Sequence, residues 1–245
     1  MIPKTIHYCW FGGGKKPFLI RKCIESWHRF LPDWEFVEWN ENNFDVNCIP
    51  FIQQAYEERK WAFVADYCRF YAVYNHGGVY LDTDVEVKKN FDIFLENECF
   101  AGTEHRFTTS GKSFISVDAS MFGAIRHHWY IKECLDFYKD KTFRQPDGSI
   151  TGGVVQGVAT DILLPLGYQR ADKTQLVKDV KIYSSEFFTN KYTVDKNIKP
   201  YTIHHFDGSW TDDPQRGSLF KLCRKYDLMH WYRALESLRN RIIQG

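Results

Sequence analysis

The nine residues from Gly77 to Val85 constrain the fold of this chain more than any other stretch. They read Gly-Gly-Val-Tyr-Leu-Asp-Thr-Asp-Val. Two successive glycines end a preceding helix, because glycine adopts backbone conformations that a residue with a Cβ resists. The apolar Val-Tyr-Leu that follows is typical of a short buried strand. Asp82 and Asp84 come where that strand reaches the surface, so the pattern predicts two carboxylates at one edge of a sheet.

The segment before the glycines has helical periodicity and carries two charged residues three positions apart. Asp66 and Arg69 therefore share one face of the predicted helix. Because the helix leads directly into the strand, we expect this pair beside the two carboxylates at the strand's end. An isolated Asp-x-Asp more often marks a solvated turn. The neighbouring Asp66 and Arg69 make a functional site the preferred interpretation.

The combined pattern over residues 65–84 is Ala-Asp-x-x-Arg-x-x-x-x-Tyr-x-x-Gly-Gly-Val-Tyr-Leu-Asp-x-Asp. It resembles the Asp-x-Asp segment of glycosyltransferase family 32. That family includes bacterial capsular polysaccharide transferases and fungal initiating mannosyltransferases, and it is related to the glucosylating domains of the large clostridial toxins. The resemblance implies that Asp84 binds a divalent metal, and that Asp82 binds ribose and sugar hydroxyls and touches the metal through water. It assigns Asp66 and Arg69 to the orientation of the donor sugar.

The N-terminal segment is similar to the opening of the same family. Residues 2–11 read Ile-Pro-Lys-Thr-Ile-His-Tyr-Cys-Trp-Phe and are followed by three glycines. This pattern predicts a first strand and a bend at its carboxyl end. In the family a Trp at this place stacks on the nucleotide base, so the resemblance assigns Trp10 to that role. We assign Phe11 and Tyr80 to the same nucleotide-sugar site. The alternative is that Trp10 is an ordinary core residue.

A second resemblance lies near the C-terminus, where residues 202–210 read Thr-Ile-His-His-Phe-Asp-Gly-Ser-Trp. The family carries a metal ligand five residues before such a Trp, which corresponds to His205 here, while His204 would point into the protein. The resemblance also assigns Ser209 and Trp210 to the donor diphosphate. An imidazole among carboxylates favours Mn²⁺ over Mg²⁺ as the cofactor.

The order of predicted elements is strand, helix, strand, helix, helix, strand, which indicates the α/β class. The family resemblance implies a type A glycosyltransferase fold, with a Rossmann-like mixed sheet flanked by helices. We expect a single domain over residues 1–245. Residues 1–100 would form its nucleotide-sugar half, 101–217 its acceptor side and the closure of the metal site, and 218–245 a basic amphipathic helix. Residues 85–87 are expected to continue the strand that precedes Asp82.

Composition and charge exclude several other classes of protein. A formal net charge of +1 argues against nucleic-acid binding. The seven cysteines are scattered without a Cys-x-x-Cys pair, which favours neither zinc nor a disulfide framework and fits a reducing cytosol. We find no signal-peptide pattern and no membrane-spanning apolar run, so we expect a cytoplasmic protein. The helix predicted over 218–245 is interpreted as the closing helix of the fold or as a peripheral contact with the inner face of the membrane.

These features predict a metal-dependent transferase that moves a hexose from a nucleotide sugar, with a UDP-hexose favoured. The acceptor would be a glycan or lipid-linked glycan of bacterial surface polysaccharide synthesis, and the resemblance implies retention of anomeric configuration. One alternative is a haloacid-dehalogenase-type phosphohydrolase with Asp82 as nucleophile and Asp212 and Asp213 as its late metal pair. Another is a non-catalytic nucleotide-sugar-binding module. In the resembled family, a strand that faces the donor sugar usually carries an Asn. The corresponding stretch here carries Asp118 and Ser120 instead, which departs from that pattern. His127 and His128 are expected on the surface.

Overall fold

The computed structural model describes residues 1–107, 113–147, 155–191, 193 and 197–207. The helices in this part of the chain are α1 (Phe18–Phe30), α2 (Pro50–Glu57), α3 (Trp61–His76), α4 (Trp129–Asp136) and α5 (Val155–Leu163). The strands are β1 (Thr5–Cys9), β2 (Glu35–Trp39), β3 (Gly78–Leu81), β4 (Val85–Val87), β5 (Cys99–Phe107), β6 (Ser113–Ala124), β7 (Gln175–Val177), β8 (Val180–Tyr183), β9 (Phe188–Asn190) and β10 (Thr202–His204).

Seven of these strands form a central mixed sheet in the order β2-β1-β3-β6-β5-β8-β7. β1 pairs in parallel with β2 and β3, and β5 pairs in parallel with β8. β6 is antiparallel to both β3 and β5, so it joins the two parallel groups. One apolar core lies against α2, α3, α4 and α5, and the other against α1 and a smaller sheet. The predicted α/β class, a Rossmann-like mixed sheet flanked by helices, is confirmed.

The smaller sheet has three strands in the order β4-β10-β9. The expectation that residues 85–87 continue β3 is therefore wrong, since they form β4 of this smaller sheet. The chain turns after Asp82, where the N–H of Val85 donates to the carbonyl of Asp82 at 2.9 Å. Helix α1 holds this smaller sheet in place through two hydrogen bonds to β4. The buried indole of Trp27 donates to the Val85 carbonyl at 2.7 Å, and the hydroxyl of Ser26 accepts the N–H of Val87 at 2.9 Å.

Glycine is required where α3 gives way to β3. Gly77 and Gly78 have φ angles of +66° and +107°, which side chains rarely adopt. A Cβ at Gly78 would also lie 2.7 Å from the carbonyl oxygen of Thr5. The interpretation of these glycines as the end of the helix agrees with the structure. The close contact additionally lets β3 pair tightly with β1.

Strand β1 is shorter than the strand predicted within residues 2–11. The expectation that His128 lies on the surface is wrong, since its side chain is buried and 4% exposed. It caps α4, where its Nδ1 accepts the N–H of Tyr130 at 3.3 Å. Nε2 of the same ring lies 3.4 Å from Asp179 Oδ1, so both ring nitrogens face groups of the protein rather than solvent.

Candidate active site

The site candidates from the N-terminal half meet at the carboxyl edge of the central sheet. Ile6 and His7 of β1 pair with Val79 and Tyr80 of β3 in parallel register. Trp10 follows β1 and Asp82 follows β3. The two residues therefore leave neighbouring strands at the same edge, which is the edge that binds ligands in open α/β sheets.

The turn Asp82-Thr83-Asp84 carries the chain from the large sheet to the small one. The N–H of Asp82 donates to the carbonyl of Ser120 on β6 at 2.7 Å, which ties the start of the turn to the central sheet. The N–H of His205, just beyond β10, donates to the carbonyl of Asp84 at 3.0 Å and ties its end to the small sheet. The backbone on either side therefore holds both carboxylates at fixed positions.

A buried ion-pair group links α3 to this turn. The guanidinium of Arg69 donates to Asp66 Oδ1 at 2.7 Å and lies 3.3 Å from Asp82 Oδ1. It also donates to the carbonyl of Ala119 at 2.7 Å. The hydroxyl of Tyr80 donates to the same Asp82 oxygen at 2.8 Å, and its ring lies under the guanidinium at 4.9 Å. The structure thus brings together the helix pair and the first carboxylate of the motif, as expected.

Burial of this group changes its protonation. Burial raises the pKa of Asp66 to about 6, although Arg69 opposes the shift and Asp82 adds to it. Burial also raises the pKa of Asp82, which Arg69 partly offsets. Two carboxylates that share one guanidinium in a desolvated position are sensitive to any change in the local charge. This sensitivity is typical of a functional site rather than of a surface ion pair.

The second carboxylate of the motif faces the C-terminal histidines. Asp84 Oδ1 lies 3.3 Å from His204 Nε2, and its Oδ2 accepts the N–H of Asp207 at 2.7 Å. One oxygen each of Asp82 and Asp84 and one ring nitrogen of His204 lie within 4.8 Å of one another. These three side chains are the candidate cation ligands of the turn.

The structure places His204 in this cluster, where the sequence had assigned His205. Strand β10 is antiparallel to β4 and pairs His204 with Val85. Since successive residues of a strand face opposite ways, only one of the two histidines turns toward Asp84. The imidazole of His205 instead contacts Glu86, with Nε2 3.1 Å from Oε2. His204 is buried, as a residue expected to point into the protein should be, but the position that it occupies there is beside Asp84.

The charges within the cluster reinforce one another. Burial lowers the pKa of His204, but the Asp84 carboxylate more than compensates and raises it to about 9. Burial raises the pKa of Asp84, yet the facing His204 holds it well below its usual range. In the absence of a cation the imidazolium thus neutralises the carboxylate. Two carboxylates and one imidazole form a donor set that fits a divalent cation, and binding of the cation would displace the proton of His204.

Trp10 and Phe11 leave β1 with different environments. Trp10 is partly exposed, its indole donates to the Gly14 carbonyl at 2.6 Å, and Lys16 Nζ lies 5.3 Å from its ring. It is therefore held by the glycine loop and keeps surface accessible for stacking. Phe11 is buried and packs edge-on against Phe44 at 5.9 Å. We interpret Phe11 as support for the loop.

Several residues near the site were not assigned a role from the sequence. The carbonyls of Ala119 and Ser120 anchor Arg69 and the Asp82 turn, and backbone contacts of this kind leave no signal in a sequence. Glu104 and Asp118 are buried close to His204. Asp118 was noted only as a departure from the family pattern, and an acidic residue in an apolar strand pattern is a weak signal that could have marked Glu104 as well.

Other predicted features lie outside the described residues. These are Ser209, Trp210, the Asp212-Asp213 pair and the helix predicted over 218–245. Among the helices that the structure does describe, none combines the length and the apolar character needed to cross a membrane.

Comparison with known sequences finds a protein family that matches the segment forming this edge of the sheet. Residues 17–101 match the family described as "Glycosyltransferase sugar-binding region containing DXD motif". The matched region includes the Asp66–Arg69 pair and both carboxylates of the turn. The segment that builds this part of the site is therefore similar to the sugar-binding region of these enzymes, which supports a glycosyltransferase.

Two curated relatives each match a segment of this chain. An uncharacterized glycosyltransferase of Acanthamoeba polyphaga mimivirus is 32% identical over 101 residues, which are 39% of this chain and 40% of that protein. Inositol phosphoceramide mannosyltransferase 1 of Schizosaccharomyces pombe is 28% identical over 110 residues, 40% of this chain and 33% of that protein. The chain thus spans well under half the length of the curated relatives that it matches.

Among solved structures, one match is a glycosyltransferase involved in the glycosylation of the major capsid of PBCV-1. It is 12% identical and has a TM-score of 0.48, over 84% of this chain and 95% of that chain.

Proposed function

We propose that this chain is a metal-dependent glycosyltransferase that moves a hexose from a nucleotide sugar to a glycan acceptor. The observation that carries the proposal is the meeting of Asp82, Asp84 and His204 within 4.8 Å at the carboxyl edge of the sheet. The match of residues 17–101 to a DXD sugar-binding region supports it. Within the proposal, residues 1–245 act as one glycosyltransferase domain.

In the proposed reaction, the bond between the sugar anomeric carbon and the diphosphate oxygen breaks, the acceptor oxygen bonds to that carbon, and the acceptor's hydroxyl proton passes to the departing diphosphate or to solvent. A divalent cation bound by the cluster would act as a Lewis acid that neutralises charge on the departing diphosphate. Asp84 and His204 would hold that cation, and Mn²⁺ suits a mixed imidazole and carboxylate set. We retain Asp82 as a ligand through water, because Arg69 and Tyr80 already occupy one of its oxygens.

The Asp66–Arg69 pair would orient the donor sugar. Arg69 is 5% exposed, so its role is to fix the carboxylates of Asp66 and Asp82 for contact with hydroxyl groups. Positioning of this kind lowers the barrier by removing the entropy of alignment. Tyr80, at 1% exposure, contributes through Asp82. Ser209 and Trp210 are proposed to contact the diphosphate on the basis of the family resemblance.

The finer assignments follow the bacterial branch of the resemblance. They comprise a UDP-hexose donor, a glycan or lipid-linked acceptor of surface polysaccharide synthesis, and retention of configuration. They also include a cytoplasmic location with peripheral membrane contact through residues 218–245. The fission yeast relative is named a mannosyltransferase, so GDP-mannose is the donor to test against. The phosphohydrolase alternative is not favoured, because the matched family is a sugar-binding region.

A panel of nucleotide sugars with Mn²⁺ tests the proposal. A ligand that binds the folded chain raises its melting temperature in step with RT ln(1 + [L]/Kd). We expect stabilisation by a UDP-hexose and Mn²⁺ together, followed by release of UDP when an acceptor glycan is added. Stabilisation without release would favour the non-catalytic binding module. Stabilisation by GDP-mannose alone would refute the UDP donor, and no effect of any donor would refute the glycosyltransferase proposal.

Trp10→Ala should weaken binding of the free nucleoside diphosphate by about 1–3 kcal/mol, the usual contribution of a base stacked on an aromatic ring. Isothermal titration of the diphosphate in the presence of Mn²⁺ measures the change. Trp34→Phe is a suitable control, because Trp34 is buried away from this loop and contacts Phe91. Equal affinities of unsubstituted chain and Trp10→Ala would mean that Trp10 has no role beyond packing.

A further inference from the structure

A second buried group shares His204 with the candidate metal site. One oxygen each of Glu104 and Asp118 and a ring nitrogen of His204 lie within 4.8 Å of one another. The three residues are 2%, 6% and 7% exposed, respectively. Glu104 lies on β5 and Asp118 on β6, so both reach His204 from the central sheet. The imidazole is thus the junction of two groups of carboxylates.

The two additional carboxylates differ in what they already bind. Glu104 forms an ion pair with Arg106 and accepts a hydrogen bond from Gln156 at 3.4 Å. Asp118 Oδ1 accepts the backbone N–H of Ser120 at 2.7 Å. Its other oxygen accepts no hydrogen bond from any residue that the structure describes. Both oxygens of Glu104 thus already face a donor, Arg106 or Gln156, whereas among the described residues only one oxygen of Asp118 does.

The imidazole of His204 likewise has one ring nitrogen that lacks a hydrogen-bond partner among the described residues. Its Nε2 lies 3.3 Å from Asp84, whereas its Nδ1 is buried and has no hydrogen-bond partner among the described residues. The ring of Phe206 packs against it at 4.0 Å between centroids, which limits its rotation. A buried N–H without an acceptor costs free energy. Histidines that bind metals almost always donate their second ring N–H to a carboxylate, a carbonyl or water.

We propose that Asp118 is the positioning residue for His204: the Asp118 oxygen that does not bind the Ser120 N–H accepts a hydrogen bond from Nδ1–H when Nε2 binds a cation beside Asp84. This contact would fix the tautomer and the orientation of the ring. Asp118 acts through the imidazole and touches neither cation nor substrate. The inference rests on the proposed function, because it takes His204 as a cation ligand.

Asp118→Asn tests the inference through metal affinity, without an activity assay. Asparagine keeps an oxygen for the Ser120 N–H but removes the charged acceptor. We expect Mn²⁺ binding, measured by electron paramagnetic resonance of the free ion, to weaken about 10- to 100-fold. If Asp118→Asn does not fold, Asp118→Ser retains a short acceptor for Ser120 and carries the same expectation. Unchanged affinity in the folded variant would overturn the inference and leave the proposed function intact.

A double-substitution cycle separates positioning from nearby charge. If Asp118 acts through the ring, Asp118→Asn will have little further effect on Mn²⁺ affinity in a His204→Ala background. An equal loss in both backgrounds would show that Asp118 is only a neighbouring negative charge. Glu86→Gln is the matched control, since it removes the carboxylate partner of the adjacent His205, and we expect Mn²⁺ affinity within about twofold of the unsubstituted chain. A loss in Glu86→Gln as large as that in Asp118→Asn would overturn the assignment.

The unsubstituted chain sets the reference for these measurements. Binding of Mn²⁺ by this chain is required by both proposals. Its absence would overturn the metal dependence of the proposed function together with this inference. Binding by the unsubstituted chain with no effect of Asp118→Asn would overturn the inference alone, so the two failures are distinguishable.

Discussion

Asp84→Asn should lower the rate of sugar transfer about 1,000-fold or more, a loss on the order of 4 kcal/mol of transition-state stabilisation. The substitution removes the carboxylate that faces His204 and leaves a side chain of the same shape. The pKa of His204 should fall in the variant, because Asp84 is the main charge that raises it. The measurement is kcat/KM for the preferred donor, with Mn²⁺ in excess.

Glu86→Gln provides the control for this experiment, since Glu86 lies two residues further along and contacts His205 instead. We expect its rate to stay within a few-fold of that of the unsubstituted chain. The unsubstituted chain should lose activity in chelator and regain it with Mn²⁺. Near-normal turnover of folded Asp84→Asn in chelator would refute the assignment of this carboxylate to a metal.

Arg69→Met should destabilise the chain by about 3–5 kcal/mol, the usual cost of breaking a buried charged group by removing one partner. Arg69 is the cation that Asp66 and Asp82 share, and methionine fills a similar volume without the charge. Denaturant unfolding measures the free energy of unfolding. Transfer activity should fall as well, because the two carboxylates lose their fixed orientation.

The loss of stability in Arg69→Met, measured as the free energy of unfolding, should be larger at pH 8 than at pH 5. Burial already raises the pKa of Asp66 to about 6, and removal of the guanidinium would raise it further. When a carboxyl group has a higher pKa in the folded state than in the unfolded state, the free energy of unfolding falls as pH rises from the lower pKa to the higher one. At pH 5, which is below its pKa, the Asp66 carboxyl is largely protonated, and the cost of burying it without the guanidinium is smaller.

Arg144→Met is the matched control, because Arg144 also contacts two carboxylates, Glu57 and Glu58, but is half exposed. Exposed ion pairs contribute about 0–1 kcal/mol. Equal losses in the two variants, or a loss in Arg69→Met that does not depend on pH, would contradict the buried arrangement described here.

Local sequence patterns predicted the half of the site that is built from contiguous residues. Asp66 and Arg69 are three apart on a helix, and the glycines force the chain from that helix into β3. Periodicity and glycine conformations are properties of neighbouring residues, so a single sequence reveals them. The structure does join Arg69 to Asp66 and to Asp82 as those patterns suggested.

The other half of the site depends on pairing between distant residues. Strand β10 has three residues, and a shift of one position would exchange the directions of His204 and His205. The spacing to Trp210 could not determine that register, and the pairing with β4 places His204 toward Asp84. Glu104 and Asp118 reach the same histidine from β5 and β6, two strands whose pairing changes register between Ala101 and Thr103.

The main-chain oxygens of Ala119 and Ser120 have a consequence for how such enzymes can diverge. They hold Arg69 and the Asp82 turn, yet every amino acid carries the same carbonyl. Residues 119 and 120 can therefore exchange for others of similar size without disturbing the frame. The family match ends at residue 101, although the supporting scaffold continues beyond it. A scaffold built from backbone atoms can persist across lineages after its sequence signature has disappeared.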